Sequence, residues 1–469
     1  MGLLIRRADL AGHPGVVDVR IEGERVVAVA PAIRAAAGDE LIDAAGSAVI
    51  PGLADHHVHL LAWAAALGST RCGPPEVTDR PALARALRAA PGTTDGWVRG
   101  VGYHESVGGL LDRAAIDDLE PDRPVRIQHR SGMLWMVNSE ALRRLGLDDG
   151  ERPDGLELGA DGRPTGRCWQ GDRWLRDRLP RQPIDLADVG NRLAEYGVTS
   201  VTDATATNDA EAVRALETAV ADGRLRQRVT VMGPPDLEVS ERRKLRLGPV
   251  KIVLREASLP DLGHTAELLA AARSARRHVA FHCTTRVELV FALAVLDHAG
   301  AGRGNRIEHG GIVPPELYPR LRADGLTVVT QPNFVAERGD QYLCEVDPSE
   351  VPNLYPCASL LRAGIRVAAG TDAPFGNPDP WRAIHAATAR TTTNGHVIGA
   401  DERVDGETAL GLFLAPSEQP GGRRRRVALG EPADLCILTR SLRATYAAPA
   451  EAQVAVTIVG GELVHVARG

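Results

Sequence analysis

The run Pro51-Gly52-Leu53-Ala54-Asp55-His56-His57-Val58-His59 carries the densest chemistry in the chain. On an extended strand residues i and i+2 share a face, so His57 and His59 converge while His56 points the other way. Paired imidazoles at a strand end are a start for a zinc-class site, although the same pair can be two ordinary polar residues. Lys251 lies inside the apolar run Val250-Lys251-Ile252-Val253-Leu254. A lysine buried there either pairs with a carboxylate or loses its proton, and a neutral amine can add CO2 to give a carbamate able to bridge two cations. His282 closes Val279-Ala280-Phe281-His282, His309 closes Arg306-Ile307-Glu308-His309, and Asp372 follows Ala368-Ala369-Gly370-Thr371. Taken singly, such histidines are more often satisfied core residues, and such an aspartate more often caps a helix or turn. Their joint meaning depends on the elements that carry them.

Eight short apolar segments read as strands: Ala48 to Asp55, Ser200 to Asp203, Arg228 to Met232, Val250 to Leu254, Val279 to Phe281, Arg306 to Glu308, Thr327 to Gln331 and Arg366 to Ala369. Helical stretches separate them at Asp209 to Asp222, Leu262 to Arg277, Arg286 to Ala299, Pro315 to Asp324 and Ala358 to Ala363. This alternation predicts an α/β fold with a TIM-like (β/α)8 barrel, and the candidate residues then ring its C-terminal mouth, from strands one, four, five, six and eight. Residues 62–190 are too many for a barrel connection and are expected to form an α+β insertion after strand one, emerging at that mouth as a lid or substrate segment. Within it Trp97 to Val101 and Val125 to Gln128 look strand-like, Ser139 to Leu145 helical, and Asp148 to Gly166 a Gly/Asp-rich loop. The N-terminal end alternates apolar and polar residues in Val17-Asp18-Val19-Arg20-Ile21-Glu22, and the C-terminal end carries short apolar strands such as Val454-Ala455-Val456-Thr457-Ile458-Val459. Gly460-Gly461 supplies a hairpin turn. We expect a small β-sandwich built from residues 1–50 and 416–469, with the barrel domain over 51–415.

The set of HxH on strand one, lysine on strand four, histidines on strands five and six and aspartate on strand eight resembles the amidohydrolase superfamily. More narrowly the chain is similar to amidohydrolase family 3, the branch with N-substituted formamide deformylases. Ser131-Gly132, Val137-Asn138-Ser139, Ala141-Leu142, Gly197-Val198-Thr199-Ser200-Val201-Thr202-Asp203-Ala204, Arg306-Ile307-Glu308-His309, Gln331-Pro332-Asn333-Phe334, Gly370-Thr371-Asp372-Ala373-Pro374 and Pro432-Ala433-Asp434-Leu435 carry that likeness. The resemblance implies that His57, His59 and Asp372 hold one divalent metal and His282 and His309 a second, bridged by carboxylated Lys251 and a hydroxide. Zinc is the first expectation, with manganese or iron as alternatives and one or two ions per chain. It further implies hydrolysis of a C–N bond in a small organic amide, formamide, carbamate or cyclic amide, with Asp372 as general base and then general acid. Members often carry His-Ala-x-Gly-Asp where this chain has His282-Cys283-Thr284-Thr285, and histidine where it has Met133. Both departures touch the substrate pocket rather than the ligands.

Other classes are weighed against this. Another metal-dependent reaction on the same scaffold, such as deamination, ester hydrolysis or decarboxylation, is the alternative. Ring deaminases of the superfamily place a glutamate soon after the strand-five histidine, whereas here the first acid after His282 is Glu288. A sensor or scaffold would be expected to have lost ligands. Tyr103, His104, Met133, Trp135, Phe334 and Phe375 are candidate substrate-binding residues, each aromatic being equally suited to core packing. No cluster of arginines marks a phosphate or multi-carboxylate substrate. The net charge of −6 argues against nucleic acid, and the basic run Arg423 to Arg426 reads as a solvated loop. No stretch approaches the ~18 apolar residues of a membrane span. Met1 to Ala11 lacks the apolar core of a secretory signal. The six cysteines contain no CxxC pair and read as reduced thiols, so a cytoplasmic protein is expected. A small-molecule substrate is the expected partner, and a homo-oligomer is left open.

Overall fold

The computed structural model describes residues 2–93, 95–147, 152–179, 184–240, 244–300 and 302–467. Eight parallel strands form one sheet in chain order: β1 (Leu53–Val58), β2 (Val198–Asp203), β3 (Arg228–Gly233), β4 (Leu245–Val253), β5 (Val279–Cys283), β6 (Arg306–His309), β7 (Thr327–Thr330) and β8 (Arg366–Ala369). The sheet curls until its ends nearly meet. Along the lower part of that seam the 412–413 backbone is interposed: Ala54 N–H donates to Phe413 O at 2.8 Å and Ala369 N–H to Leu412 O at 3.1 Å. At the C-terminal end the seam closes directly. Asp372 N–H donates to His57 O and His59 N–H to Ala373 O, both at 2.8 Å.

Helices Ala210–Ala221, Leu262–Ser274, Arg286–Ala299 and Ala358–Arg362 fall where the pattern places them. Asp209, Asp261 and Thr285 cap the first three by accepting from backbone N–H groups of the first turn. The stretch 315–324 divides into a 3-10 turn, Pro315–Leu317, and a helix, Tyr318–Ala323. Pro319 has no N–H to continue the turn before it, but fits the first turn of a new helix.

The expected first strand, Ala48 to Asp55, is two strands. Val49–Pro51 pairs antiparallel with Leu435–Leu438, and only Leu53–Val58 joins the barrel. Gly52 is the crossover. A Cβ there would lie 2.0 Å from the Thr199 methyl, so only glycine lets the chain pass this close. Two four-stranded sheets contain the chain ends. One has the order Arg25–Ala30, Val17–Glu22, Gly2–Ala8, Glu40–Asp43; the other has Glu462–Val466, Val454–Val459, Leu435–Leu438, Val49–Pro51. Leu3, Ile5, Val19 and Ile21 share one buried cluster with Leu435, Ile437, Val456 and Ile458. The strand Gly2–Ala8 has no period-2 pattern because its register shifts between Ile5 and Ala8. The basic run is only partly solvated. Arg423, Arg424 and Arg426 are exposed, but the Arg425 guanidinium donates to the carbonyls of Leu414 and Gly52.

Residues 61–185 form a second compact unit. Its six-stranded sheet runs Leu156–Leu158, Pro164–Trp169, Leu134–Val137, Val125–His129, Val98–Tyr103, Thr70–Arg71. Residues 148–151 and 180–183 lie outside the described residues. The remainder of the stretch expected as a Gly/Asp-rich loop contains an antiparallel pair, Leu156–Leu158 with Pro164–Trp169, turned at Gly162 with φ of +75°. Asn138 ties this unit together. Its Oδ1 accepts from Val125 N–H at 2.9 Å and from Ala141 N–H at 3.0 Å, capping helix Ser139–Leu145. Its Nδ2 donates to Glu120 O at 3.1 Å and Arg123 O at 2.8 Å. Asn138→Ala removes a cap and strands buried groups, so urea unfolding should show a loss of about 2–4 kcal/mol. A loss below about 0.5 kcal/mol, the level of an inert surface change, would contradict this reading.

Candidate metal centre

Alternation along β1 turns His57 toward the barrel interior, and the direct seam fixes the backbone on either side of it. Ligand atoms of His57, His59 and Asp372 lie within 4.8 Å of one another. His59 Nε2 is 3.2 Å and His57 Nε2 3.6 Å from Asp372 Oδ1. The His309 ring centroid stands 4.8 Å from that of His57, and that of His282 4.4 Å from His309. Lys251, 7% exposed, faces the same interior and interacts electrostatically with His57, His282 and His309. All six residues singled out by type and spacing therefore converge on one end of the barrel. His56 does not join them: both its ring nitrogens are buried without a hydrogen-bond partner, and burial pushes its pKa down to about 3.

Three of the imidazoles are held by their Nδ1 atoms. His57 Nδ1 is 2.5 Å from Glu308 Oε2, His59 Nδ1 2.9 Å from Thr205 Oγ1, and His309 Nδ1 2.8 Å from Gln331 Oε1. Glu308 and Gln331 Oε1 can only accept from those rings, which fixes the Nδ1–H tautomer and leaves the Nε2 lone pair to face the centre. Burial holds His57 and His309 well below the usual imidazole range, and His282 is pushed down to about 3 by burial and by Lys251. Neutral imidazoles are the ligating form.

The supports explain several sequence motifs. Asp203 accepts from Leu60 N–H at 2.8 Å, Thr205 N–H at 3.1 Å and Asn208 Nδ2 at 2.8 Å, and so positions the threonine that orients His59. Asp55 accepts from Thr371 Oγ1 at 2.6 Å and Thr371 N–H at 3.0 Å, clamping β1 to the loop that carries Asp372. A Cβ on Gly370 would lie 2.6 Å from His57 Cβ, so this loop must be glycine at its closest approach. His309 and Asp372 have φ of +69° and +57°, left-handed values uncommon for residues other than glycine. A strictly extended β6 would send Glu308 and His309 to opposite faces; both serve this centre because the backbone turns at His309.

Glu308 is the residue the sequence reading missed. It is fully buried, with Oε1 accepting from Arg306 Nε at 2.6 Å while Oε2 holds His57. Opposite charges at i and i+2 inside a four-residue strand were the available signal. Lys251 has no such partner. Among the described residues its Nζ makes no hydrogen bond or ion pair, and burial pushes its pKa down to about 8. The residues fit a divalent cation: His57 Nε2, Asp372 Oδ1 and Lys251 Nζ are all buried polar atoms without a hydrogen-bond partner among the described residues, grouped where ligands would be needed.

The candidate substrate residues divide. Phe375 is half-buried with its ring 5.3 Å from that of His59. Phe334 belongs to a core cluster with Tyr355 and is 3% exposed. Tyr103 is fully buried, its hydroxyl donating to Gly109 O at 2.6 Å, which leaves it no face for a substrate. Trp135 is buried, with the guanidinium carbons of Arg99 and Arg126 5.6 and 5.4 Å from its ring and Nε1 donating to Asp172 at 2.9 Å. His104 and Met133 are partly exposed in the second unit, where His104 Nδ1 meets Ser106 Oγ at 2.8 Å. The six cysteines are free thiols, and no helix among the described residues is long and apolar enough to cross a membrane.

A sequence model described as "Amidohydrolase family" matches residues 40–465. N-substituted formamide deformylase of Arthrobacter pascens is 26% identical over 470 residues, spanning 87% of this chain and 86% of that protein. An uncharacterized metal-dependent hydrolase of Pyrococcus furiosus superposes with a TM-score of 0.74 at 22% identity, over 94% of this chain and 99% of that one. Atrazine chlorohydrolase TrzN of Arthrobacter aurescens TC1, solved in complex with zinc, gives a TM-score of 0.59 at 13% identity over 98% and 95%. With the family matched across nearly its whole length, the chain belongs to the amidohydrolase family, hydrolases that act on carbon–nitrogen bonds.

Proposed function

We propose that this protein hydrolyses the C–N bond of a small organic amide, formamide, carbamate or cyclic amide, with divalent metal, zinc first, held by His57, His59 and Asp372 and by His282 and His309. The observation that carries this reading is the convergence of His57, His59 and Asp372, with His57 Nε2 and Asp372 Oδ1 buried and without a hydrogen-bond partner. The formamide deformylase and the zinc-containing chlorohydrolase among the similar proteins support the bond type and the metal. A bound divalent ion would supply Lewis acidity, lowering the pKa of water toward about 7 and polarising a carbonyl.

The chain's own groups do the rest. Glu308 orients His57 and raises the basicity of its Nε2. Asp372 removes a proton from the attacking water and returns it to the leaving nitrogen. Water oxygen bonds to the carbonyl carbon, the C–N bond breaks, and a carboxylic acid and an amine leave. Lys251, a buried amine with no acid partner, is suited to add CO2, forming an N–C bond and releasing a proton. The resulting carbamate is an anion placed among His57, His282 and His309. We also read the two four-stranded terminal sheets as one β-sandwich and residues 62–190 as the segment that shapes substrate access.

Deamination, ester hydrolysis or decarboxylation is the alternative. Glu288, the first acid after His282, accepts from the backbone N–H groups of Thr284, Thr285 and Glu256. A carboxylate so engaged is a helix cap rather than a ring-protonating acid, which weighs against deamination.

Protein purified without chelator and with bicarbonate should contain close to two divalent ions per chain by plasma mass spectrometry. The His57→Ala/His59→Ala double variant should hold fewer, and unchanged content would refute the ligand assignment. Asp372→Asn should keep the far-ultraviolet circular dichroism of the wild type and lose about 10²–10⁴ in kcat. Retention of full turnover would rule out its proton-transfer role. Glu308→Gln should weaken metal affinity about 10–100-fold in chelator competition. An unaltered affinity would mean that the short His57–Glu308 contact does not tune the ligand.

A further inference from the structure

One cation near the centre, Arg338, makes no ion pair among the described residues. Arg338 lies on the helix Asn333–Glu345, which follows β7 at the C-terminal end of the barrel. Its guanidinium carbon stands 3.9 Å over the Phe334 ring, and its Nη2 donates to Phe375 O at 2.6 Å. The ring of that same Phe375 packs on His59. The guanidinium is thus one residue removed from the candidate metal ligands. It is half-buried, and among the described residues it makes no ion pair and no further hydrogen bond.

The acids nearby are engaged elsewhere. Glu337 accepts from Asn377 N–H at 3.1 Å and from Asn333 Nδ2 at 3.2 Å. Asp372 belongs to the histidine cluster. Burial opposes the charge on Arg338, but Tyr342, Tyr355, Asp372 and Glu337 more than offset this and hold its pKa above the ordinary value, so the cation persists. Tyr342 and Tyr355 present hydroxyls 3.2 Å apart in the same neighbourhood. A stacked guanidinium fixed along one edge keeps its other donors in a planar fork, the geometry that matches a carboxylate.

We infer that Arg338 receives a carboxylate on the substrate, so that the amide cleaved is an amido acid, such as an N-acylated amino acid, rather than a neutral amide. This rests on the proposed amide hydrolysis at the adjacent centre. The carboxylate anchored at Arg338 sets the distance from which the scissile carbonyl reaches that centre. A guanidinium kept charged and held along one edge is ready for the substrate's carboxylate without rearrangement.

The test compares N-formyl and N-acetyl amino acids with their matching C-terminal primary amides, using metal-replete enzyme. The free acids should have the higher kcat/KM. In Arg338→Met that preference should collapse, with a loss of at least about 30-fold for the acids expressed mainly in KM. Arg338→Lys should recover part of it, and keeps the experiment decisive if the methionine variant fails to fold. Independently of turnover, N-acetylglycine should raise the Tm of wild type more than N-acetylglycinamide does, and the difference should vanish in Arg338→Met and persist in part in Arg338→Lys. Hydrolysis of acids and amides alike, unchanged by either variant, would overturn the inference while leaving amide hydrolysis standing. No hydrolysis of any pair, with Arg338-dependent stabilisation by N-acetylglycine retained, would sustain the carboxylate subsite and sink the amidase reading. Absence of both hydrolysis and Arg338-dependent stabilisation would overturn the inference.

Discussion

The barrel closes through the backbone of the residues that would bind its metal. Along the lower part of the seam between β1 and β8 the 412–413 backbone takes one hydrogen bond from each strand, in place of a direct ladder among the described residues. Only at the C-terminal mouth do the two edges bond to each other, through His57 with Asp372 and His59 with Ala373. Closure of the fold and assembly of the His57–His59–Asp372 cluster are therefore one event. The Asp55–Thr371 clamp and the glycine at 370 belong to the same constraint: the edges must approach to within bonding distance, and neither edge tolerates bulk. The left-handed backbone at Asp372 and His309 is strain that this closure holds in place.

A second constraint is directional. A metal site needs lone pairs aimed at a point, and imidazole has two nitrogens to choose from. Here Glu308 and Gln331 accept from the Nδ1 atoms of His57 and His309, so for these two rings the choice is made before any ion arrives. The cost of that arrangement is visible as buried donor atoms without partners. Buried polar atoms of this kind are tolerable only when something completes them.

Much of this was legible in the sequence. Eight apolar segments gave the barrel because strand period and spacing leave few other topologies, and the six polar residues stood out because each ends or interrupts such a segment. What was not legible depended on contacts far apart in the chain. Glu308 reads as one acid in a short strand until His57, some 250 positions earlier, is known to lie 2.5 Å from it. The crossover at Gly52 was hidden because the apolar run from Ala48 to Ala54 continues straight through it, and only the different partners of its two halves separate them. Tyr103 looked like a pocket residue because aromatic side chains serve pockets and cores alike, and its hydroxyl finds a backbone carbonyl six residues on. Arg425 looked solvated because it stands in a charged run, yet its guanidinium holds two backbone carbonyls.

That interposed backbone at Leu412 and Phe413 also sets an order of events during synthesis. β1 leaves the ribosome early, but its Ala54 amide waits for Phe413, its Gly52 amide for Asp434 and its Gly52 carbonyl for Arg425. Until those distant residues are made, the first barrel strand has unpaired backbone along one edge and a row of histidines without their acid. The nascent chain carries an open sheet for most of its translation, a species exposed to edge-to-edge association. Stable closure thus comes after β8, when residues 412–434 reach back to the strand made before all the others of the barrel.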